Sequence, residues 1–327
     1  MYPIEEFLAR TPRVPLLTGP TPLHPMARFF SGLGVDAYIK RDDLTGIGPG
    51  GNKIRSLEFL LGQGIAEGCD RVLAAGPGQS NLCTLTAAAC ARLGLECELI
   101  HNCFRPKEIQ GNLLLNELLQ VKSHFLGPVT SEERSAYTEQ LYQTYLQQGA
   151  HPFIIRNGAT SGRGALGYTA AVQEMITQCR QQNISSMTIF APGGNGGVAA
   201  GLIYGNALMG NPFRIVIVSV EDTEAVLEAH ITTAIREAEE ITGIPCPAPV
   251  NQLCEITDCY RGDGWGMNTP DSARMVKEFA RQEGIFIENI YNSKVLVGMR
   301  DWIMEGKASG AVCYLHTGGF GSLFSQY

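Results

Sequence analysis

The sequence predicts an α/β protein in which parallel sheets carry helices on both faces, arranged as two closely packed lobes. Three observations predict it. Short apolar runs alternate with longer amphipathic ones along the 327 residues, the pattern of strands joined by crossover helices. Glycines gather where an apolar run gives way to a helical pattern, and parallel α/β proteins bind their ligands just beyond such strand ends. No solenoid repeat and no low-complexity linker divides the chain, so two lobes sharing an interface fit better than tethered domains.

Strands are expected at AYIK (37–40), RVLAA (71–75), ECELIH (96–101), PFII (152–155), MTIFA (187–191), RIVIVS (214–219) and AVCYL (311–315). Helical patterns fill the intervals at about 52–67, 80–93, 109–119, 131–147, 161–182, 196–209, 223–240, 269–282 and 292–305. Hydrophobic residues at 44% against 17% charged argue for a substantial interior and against disorder. A net charge of −7 without a long basic run argues against duplex nucleic acid or an anionic membrane as partner. An anionic ligand would therefore need local backbone dipoles and a few cations. The opening stretch MYPIEEFLAR lacks the layout of a signal peptide, and no apolar stretch approaches the roughly 18 residues of a membrane span. Ten scattered cysteines, with no Cys-x-x-Cys, read as reduced thiols, so a cytoplasmic location is expected. Six widely separated histidines give no reason to expect a metal site.

Four segments carry chemistry. In the first, Gly48-Pro49-Gly50-Gly51-Asn52-Lys53 places one of only seven lysines beside a glycine loop at a helix start. A partly desolvated amine there loses preference for its charged form and becomes nucleophilic; the plainer reading is a solvated first-turn lysine. In the second, Gly76-Pro77-Gly78-Gln79-Ser80-Asn81-Leu82 follows a strand and opens an Ala-rich helix. Its free N–H groups suit a carboxylate or phosphate, or mark an ordinary helix cap. The third, Gly193-Gly194-Asn195-Gly196-Gly197, packs four glycines into five residues and can wrap N–H groups around a phosphate. It is neither a P-loop, since no Lys-Ser/Thr follows, nor a dinucleotide G-x-G-x-x-G. The fourth pairs the EGIFIENIYNSK stretch, containing Tyr291, with LHTGG, containing Thr317.

In their order, IKRDDLTGIGPGGNKIRSLEFLL, GPGQSNL, GGNGG, EGIFIENIYNSK and LHTGG span positions 39 to 319. The chain resembles the D-cysteine desulfhydrase / 1-aminocyclopropane-1-carboxylate (ACC) deaminase family of pyridoxal 5′-phosphate (PLP) enzymes. The resemblance implies the fold type II architecture of the tryptophan synthase β-subunit. A large lobe of residues 1–45 and 159–327 and a small lobe of 46–158 would then enclose PLP, and two chains would form a homodimer. It implies that Lys53 carries PLP as a Schiff base beside Asn52, and that Asn81 bonds the cofactor's O3′. Gly193, Gly194, Asn195, Gly196 and Gly197 would hold the phosphate, and Thr317 would face the pyridine nitrogen. Ser80 and Tyr291 would border the reacting carbon, with the backbone of Gln79, Ser80, Asn81 and Leu82 receiving the substrate carboxylate.

Some positions depart from the family pattern. Leu82 stands where His or Gln is usual, Trp265 stands in place of a glycine-flanked tyrosine, and the phosphate loop has fewer hydroxyls. The first two suggest a less polar pocket, suited to a bulkier or less charged β-substituent. Asn292 follows Tyr291 where ACC deaminases carry Glu, which disfavours ACC ring opening. A hydroxyl at the pyridine nitrogen is a weak partner and points to elimination over transamination. The expected reaction is α,β-elimination from a small, cysteine-like amino acid to pyruvate, ammonia and the leaving group. The alternatives are a PLP-dependent deaminase or racemase of another amino acid, and a PLP-binding homologue with weak chemistry.

Overall fold

The computed structural model describes residues 2–327. In chain order the elements are α1 (Pro3–Arg10), β1 (Leu23–Pro25), β2 (Val35–Arg41), α2 (Lys53–Ala66), β3 (Arg71–Ala75), α3 (Asn81–Leu93), β4 (Glu96–His101) and α4 (Asn112–Leu118). Next come β5 (Lys122–Phe125), α5 (Ser131–Gln147), β6 (Pro152–Ile155), α6 (Gly162–Gln181), β7 (Met187–Gly193), α7 (Gly197–Leu208) and β8 (Phe213–Ser219). The chain ends with α8 (Glu224–Thr242), α9 (Val250–Leu253), β9 (Glu255–Thr257), α10 (Pro270–Glu283), α11 (Asn292–Met304), β10 (Gly310–His316) and α12 (Phe320–Leu323).

Two sheets result. One has the order β1-β2-β10-β7-β8-β9, the other β5-β4-β3-β6. Every pair is parallel except β1 with β2. Central strands such as β8 are buried on both faces, which is why they read as continuous apolar runs. Helices α6, α7 and α8 pack one face of the larger sheet, and α10 and α11 pack the other. In the smaller sheet α2 and α3 cover one face and α5 the other. Among the described residues no helix is long and apolar enough to cross a membrane.

The seven strands and nine helices read from periodicity all form. The helix expected from 109 starts at Asn112, because Gly111 (φ 60, ψ −135) lies outside helical space. Strand β7 runs two residues past its expected end, so Gly193 pairs with Ser219 instead of belonging to the turn. The strands β1, β5 and β9 had no signal: each is an edge strand of three or four residues with no apolar run.

Candidate active site

The strand order creates the site. Because β10 lies between β2 and β7, the turns beyond these three strands are neighbours despite their distance in sequence. Together with the turns after β3, β4 and β6 they line one cavity of about 390 Å³. Its wall includes Asn52, Lys53, Gln79, Ser80, Asn81, Leu82, Gly194, Asn195, Gly196, Gly197, Trp265, Tyr291 and Thr317. Gly193 is not part of that wall: a β-carbon there would lie 2.4 Å from Leu227, in the core.

Lys53 is the first residue of α2, and three sets of contacts fix its helix. The Asn52 N–H donates to the Thr317 carbonyl at 3.0 Å, tying the start of α2 to the turn after β10. Two residues on, Arg55 Nε donates to Asp42 Oδ2 at 2.8 Å and its Nη1 to Glu174 Oε2 at 3.1 Å. Tyr168 donates to the same Asp42 oxygen at 2.6 Å. Burial alone would raise the Asp42 carboxyl, but the adjoining Arg55 outweighs it and holds that group at about 2. Helix α6 approaches closely because Gly167 faces α2: a β-carbon there would lie 2.4 Å from the Arg55 carbonyl group. On this frame Lys53 Nζ donates to the Gly158 carbonyl at 2.7 Å. Loss of water lowers its ammonium to about 8, so a useful fraction is neutral and nucleophilic near neutral pH.

Across the cavity, Gly196 adopts φ 84 and caps α7, a conformation only glycine takes at little cost. The first N–H groups of that helix have no partner within it and, with its dipole, form an anion site. Beside it Thr160 Oγ1 is buried without a hydrogen-bond partner, and a β-carbon at Gly197 would lie only 3.1 Å from it. An orphaned hydroxyl against a glycine nest is the feature a bound phosphate would satisfy. Thr160 escaped the sequence reading, although Asn157-Gly158-Ala159-Thr160 follows β6 with the polar, glycine-bearing signature of the other turns.

The remaining wall is polar and directional. Asn112 Nδ2 donates to Asn81 Oδ1 at 2.8 Å, which leaves the Asn81 amide N–H groups for the cavity. Gln79 spends its side chain on the Gln110 carbonyl and the Asn112 N–H. Ser80 Oγ caps α3 by accepting from the Cys83 N–H at 3.3 Å, so its proton stays available. The Trp265 indole N–H, a donor only, donates to the Tyr291 hydroxyl at 2.7 Å; the tyrosine proton must therefore point elsewhere. Burial raises that phenol well above its ordinary value and keeps it protonated. Lys294 Nζ donates to the carbonyls of Val220, Arg261 and Gly264 at 3.1, 2.6 and 3.3 Å, which tethers the loop bearing Trp265. Asn292 Oδ1 accepts from the Tyr314 hydroxyl at 2.6 Å, from the Thr317 N–H at 3.1 Å and from the Thr317 hydroxyl at 3.3 Å, which fixes the turn after β10 against the cavity. Leu82 supplies an apolar patch, but Arg134 and Asn102 line the same cavity, so the expectation of a less polar pocket covers only part of it.

A two-sheet α/β fold that sets a desolvated amine across a cavity from a helix-capped glycine nest defines an enzyme working through a small phosphorylated carbonyl compound. The pattern of the family described as "Pyridoxal-phosphate dependent enzyme" matches residues 14–318, and the chain belongs to that family, whose cofactor is PLP. It is 32% identical over 326 residues to a Pyrococcus abyssi protein named "Putative 1-aminocyclopropane-1-carboxylate deaminase", covering 99% of this chain and 97% of that one. A Pyrococcus horikoshii protein of the same name is 33% identical with the same coverage. Among solved structures it is similar to an ACC deaminase homologue, with a TM-score of 0.91, 32% identity, and 99% and 97% of the two chains covered. A hydrogen sulfide-producing enzyme of Fusobacterium nucleatum shares the fold at a TM-score of 0.66 and 15% identity, over 94% and 98% of the chains.

Proposed function

We propose that the protein is a lyase that removes a β-substituent from a small amino acid, releasing a 2-oxo acid, ammonia and the leaving group. The observation that carries this reading is the desolvated Lys53 amine, at about 8, in one cavity with two hydroxyls free to donate, Ser80 and Tyr291. PLP, when bound, supplies an electron sink for charge developing at the substrate's α-carbon. The N–H groups at the start of α7 and the Thr160 hydroxyl would hold its phosphate, Lys53 its carbonyl carbon, Asn81 its phenolic oxygen and Thr317 its ring nitrogen.

The N–H groups of Gln79, Asn81 and Leu82 at the start of α3 receive the substrate carboxylate, while that of Ser80 is held by the Pro77 carbonyl at 3.0 Å. With its amine free, Lys53 would be the base that takes the α-proton, a role worth roughly 10²–10⁴-fold in rate. Tyr291 stays protonated and acts as the acid: its proton goes to the β-group as that group departs with the bonding electron pair. Ser80 orients the departing group from the other wall. Hydrolysis of the released enamine then yields the 2-oxo acid and ammonia.

The names of the relatives favour a second reading, deamination of ACC by ring opening. Against it stands Asn292, whose amide is spent on Glu288, Gly318, Tyr314 and Thr317 and offers no acid. The test is a 2-oxo acid release screen with the PLP-loaded enzyme over D- and L-cysteine, D- and L-β-chloroalanine and ACC, with Lys53→Ala as blank. Pyruvate and ammonia from one enantiomeric series are expected. The blank should lose the Schiff-base absorption of the native enzyme and at least about 10³-fold in turnover. Release of 2-oxobutyrate from ACC with no pyruvate from any β-substituted alanine would replace elimination by ring opening.

A further inference from the structure

The cavity holds a cation that the proposed chemistry leaves unused. Arg134, in the first turn of α5, is 2% exposed and lines the same cavity as Lys53. The other arginine buried to that degree, Arg55, is neutralised by Asp42 and Glu174. Among the described residues Arg134 makes no ion pair. Its Nη1 donates to Asn102 Oδ1 at 2.7 Å, and its Nε is buried without any partner. Asn102 is itself anchored through Nδ2 to the Val129 carbonyl at 3.3 Å, so the guanidinium is held from behind. Of the nearby carboxylates, Glu133 is occupied in the capping box with Thr130, and Glu132 is exposed. Burial lowers the Arg134 guanidinium below its usual range, and the nearby Glu132 carboxylate offsets that only in part. Such a group is costly unless an anion completes it.

We infer that Arg134, with Asn102 and Ser131, forms a second anion subsite, and that the enzyme selects amino acids whose β-substituent ends in an acidic group, a carboxylate or a sulfonate. The inference deepens the elimination reading and rests on it for the term substrate. The α-carboxylate is received by the N–H groups at the start of α3, so a fixed planar cation elsewhere on the cavity wall reads the far end of the molecule. The guanidinium fork matches an oxyanion in two parallel hydrogen bonds, which a lysine cannot supply.

The test compares S-carboxymethylcysteine with S-propylcysteine, alike in length and different in charge, on the PLP-loaded protein. Both kcat/KM and calorimetric binding are measured for each enantiomer. The native enzyme should favour the acid at least about 10-fold. Arg134→Gln should cost the acid at least about 30-fold and the propyl compound less than about 3-fold, with Arg134→Lys between. Ser131→Glu, at an exposed first-turn position that tolerates a carboxylate, supplies an internal competitor and should lower the acid preference even where Arg134→Gln folds poorly. Native preference for the propyl compound, or equal losses on both compounds in the Arg134 variants, would overturn the subsite. Charge-selective binding without turnover would remove the elimination reading alone, and turnover without charge selectivity would remove the subsite alone.

Discussion

An unpartnered hydroxyl inside a protein is expensive, and Thr160 keeps one beside the nest at the start of α7. A bond from such a hydroxyl to a phosphate oxygen is worth about 1.5–3 kcal/mol, since the acceptor is charged. Thr160→Val should therefore weaken PLP binding roughly 10- to 100-fold, read by titrating the apoenzyme. The saturated variant should keep its turnover within about 3-fold, because the hydroxyl stands at the phosphate end, away from Lys53. Unchanged PLP affinity would remove Thr160 from the phosphate site. Neither Arg134, in a polar helix, nor Thr160, in a loop, was singled out in the sequence. Burial, which composition does not report, gives each its meaning.

At the level of elements, the position of Lys53 is a matter of helix packing. Helix α2 begins at Lys53, and α6 presses on its first turn through the bare backbone of Gly167. A methyl group there must push the helices apart, an overpacking that costs about 1–3 kcal/mol. Gly167→Ala should lower the unfolding midpoint of the loaded enzyme by about 1.5–4 °C, since a protein of this size moves about 1.5 °C per kcal/mol. It should also lower kcat/KM by displacing Lys53 relative to the nest. A stable variant of normal activity would show that α2 tolerates the shift. Helix α7 acts through its end: Gly196 turns the chain so that its first N–H groups meet the cavity, a local property that four glycines in a row of five already announced.

Over the whole molecule, the Asp42–Arg55–Glu174 cluster joins the end of β2 to α2 and α6 and so couples the larger sheet to the helix that begins at Lys53. The Asp42 carboxyl sits at about 2 when folded against an ordinary value of 3.8, so folding binds fewer protons than unfolding in that interval. Its stabilisation is complete above about pH 4 and is lost as pH falls towards 2, a change of about 2 kcal/mol. Denaturant titrations at pH 6, 4 and 3 should show this decline, and Asp42→Asn should start less stable and decline less. Parallel slopes for the two proteins would assign acid sensitivity elsewhere, with Glu98, also held at about 2, the next group to test.

Most elements and most of the cavity wall were legible because their causes are local. Caps such as Ser80 and Thr269, apolar periods and glycine clusters act within a few residues, so they stand in the sequence as neighbours. The edge strands β1, β5 and β9 were not legible, since they exist only because a longer strand offers them a partner. Gly193 was read one step too far along, because strand pairing with Ser219 decided where β7 ends.

By itself the sequence determined the α/β class, the lysine at a glycine loop and the glycine nest, each set by the steric and hydrogen-bonding needs of contiguous residues. Only the tertiary structure decided that β10 enters between β2 and β7, bringing Thr317 to Lys53, and that Thr160 and Arg134 face the same cavity. Those relations join residues far apart in the chain. Their energies come from pairing and burial, which arise only when the chain has closed.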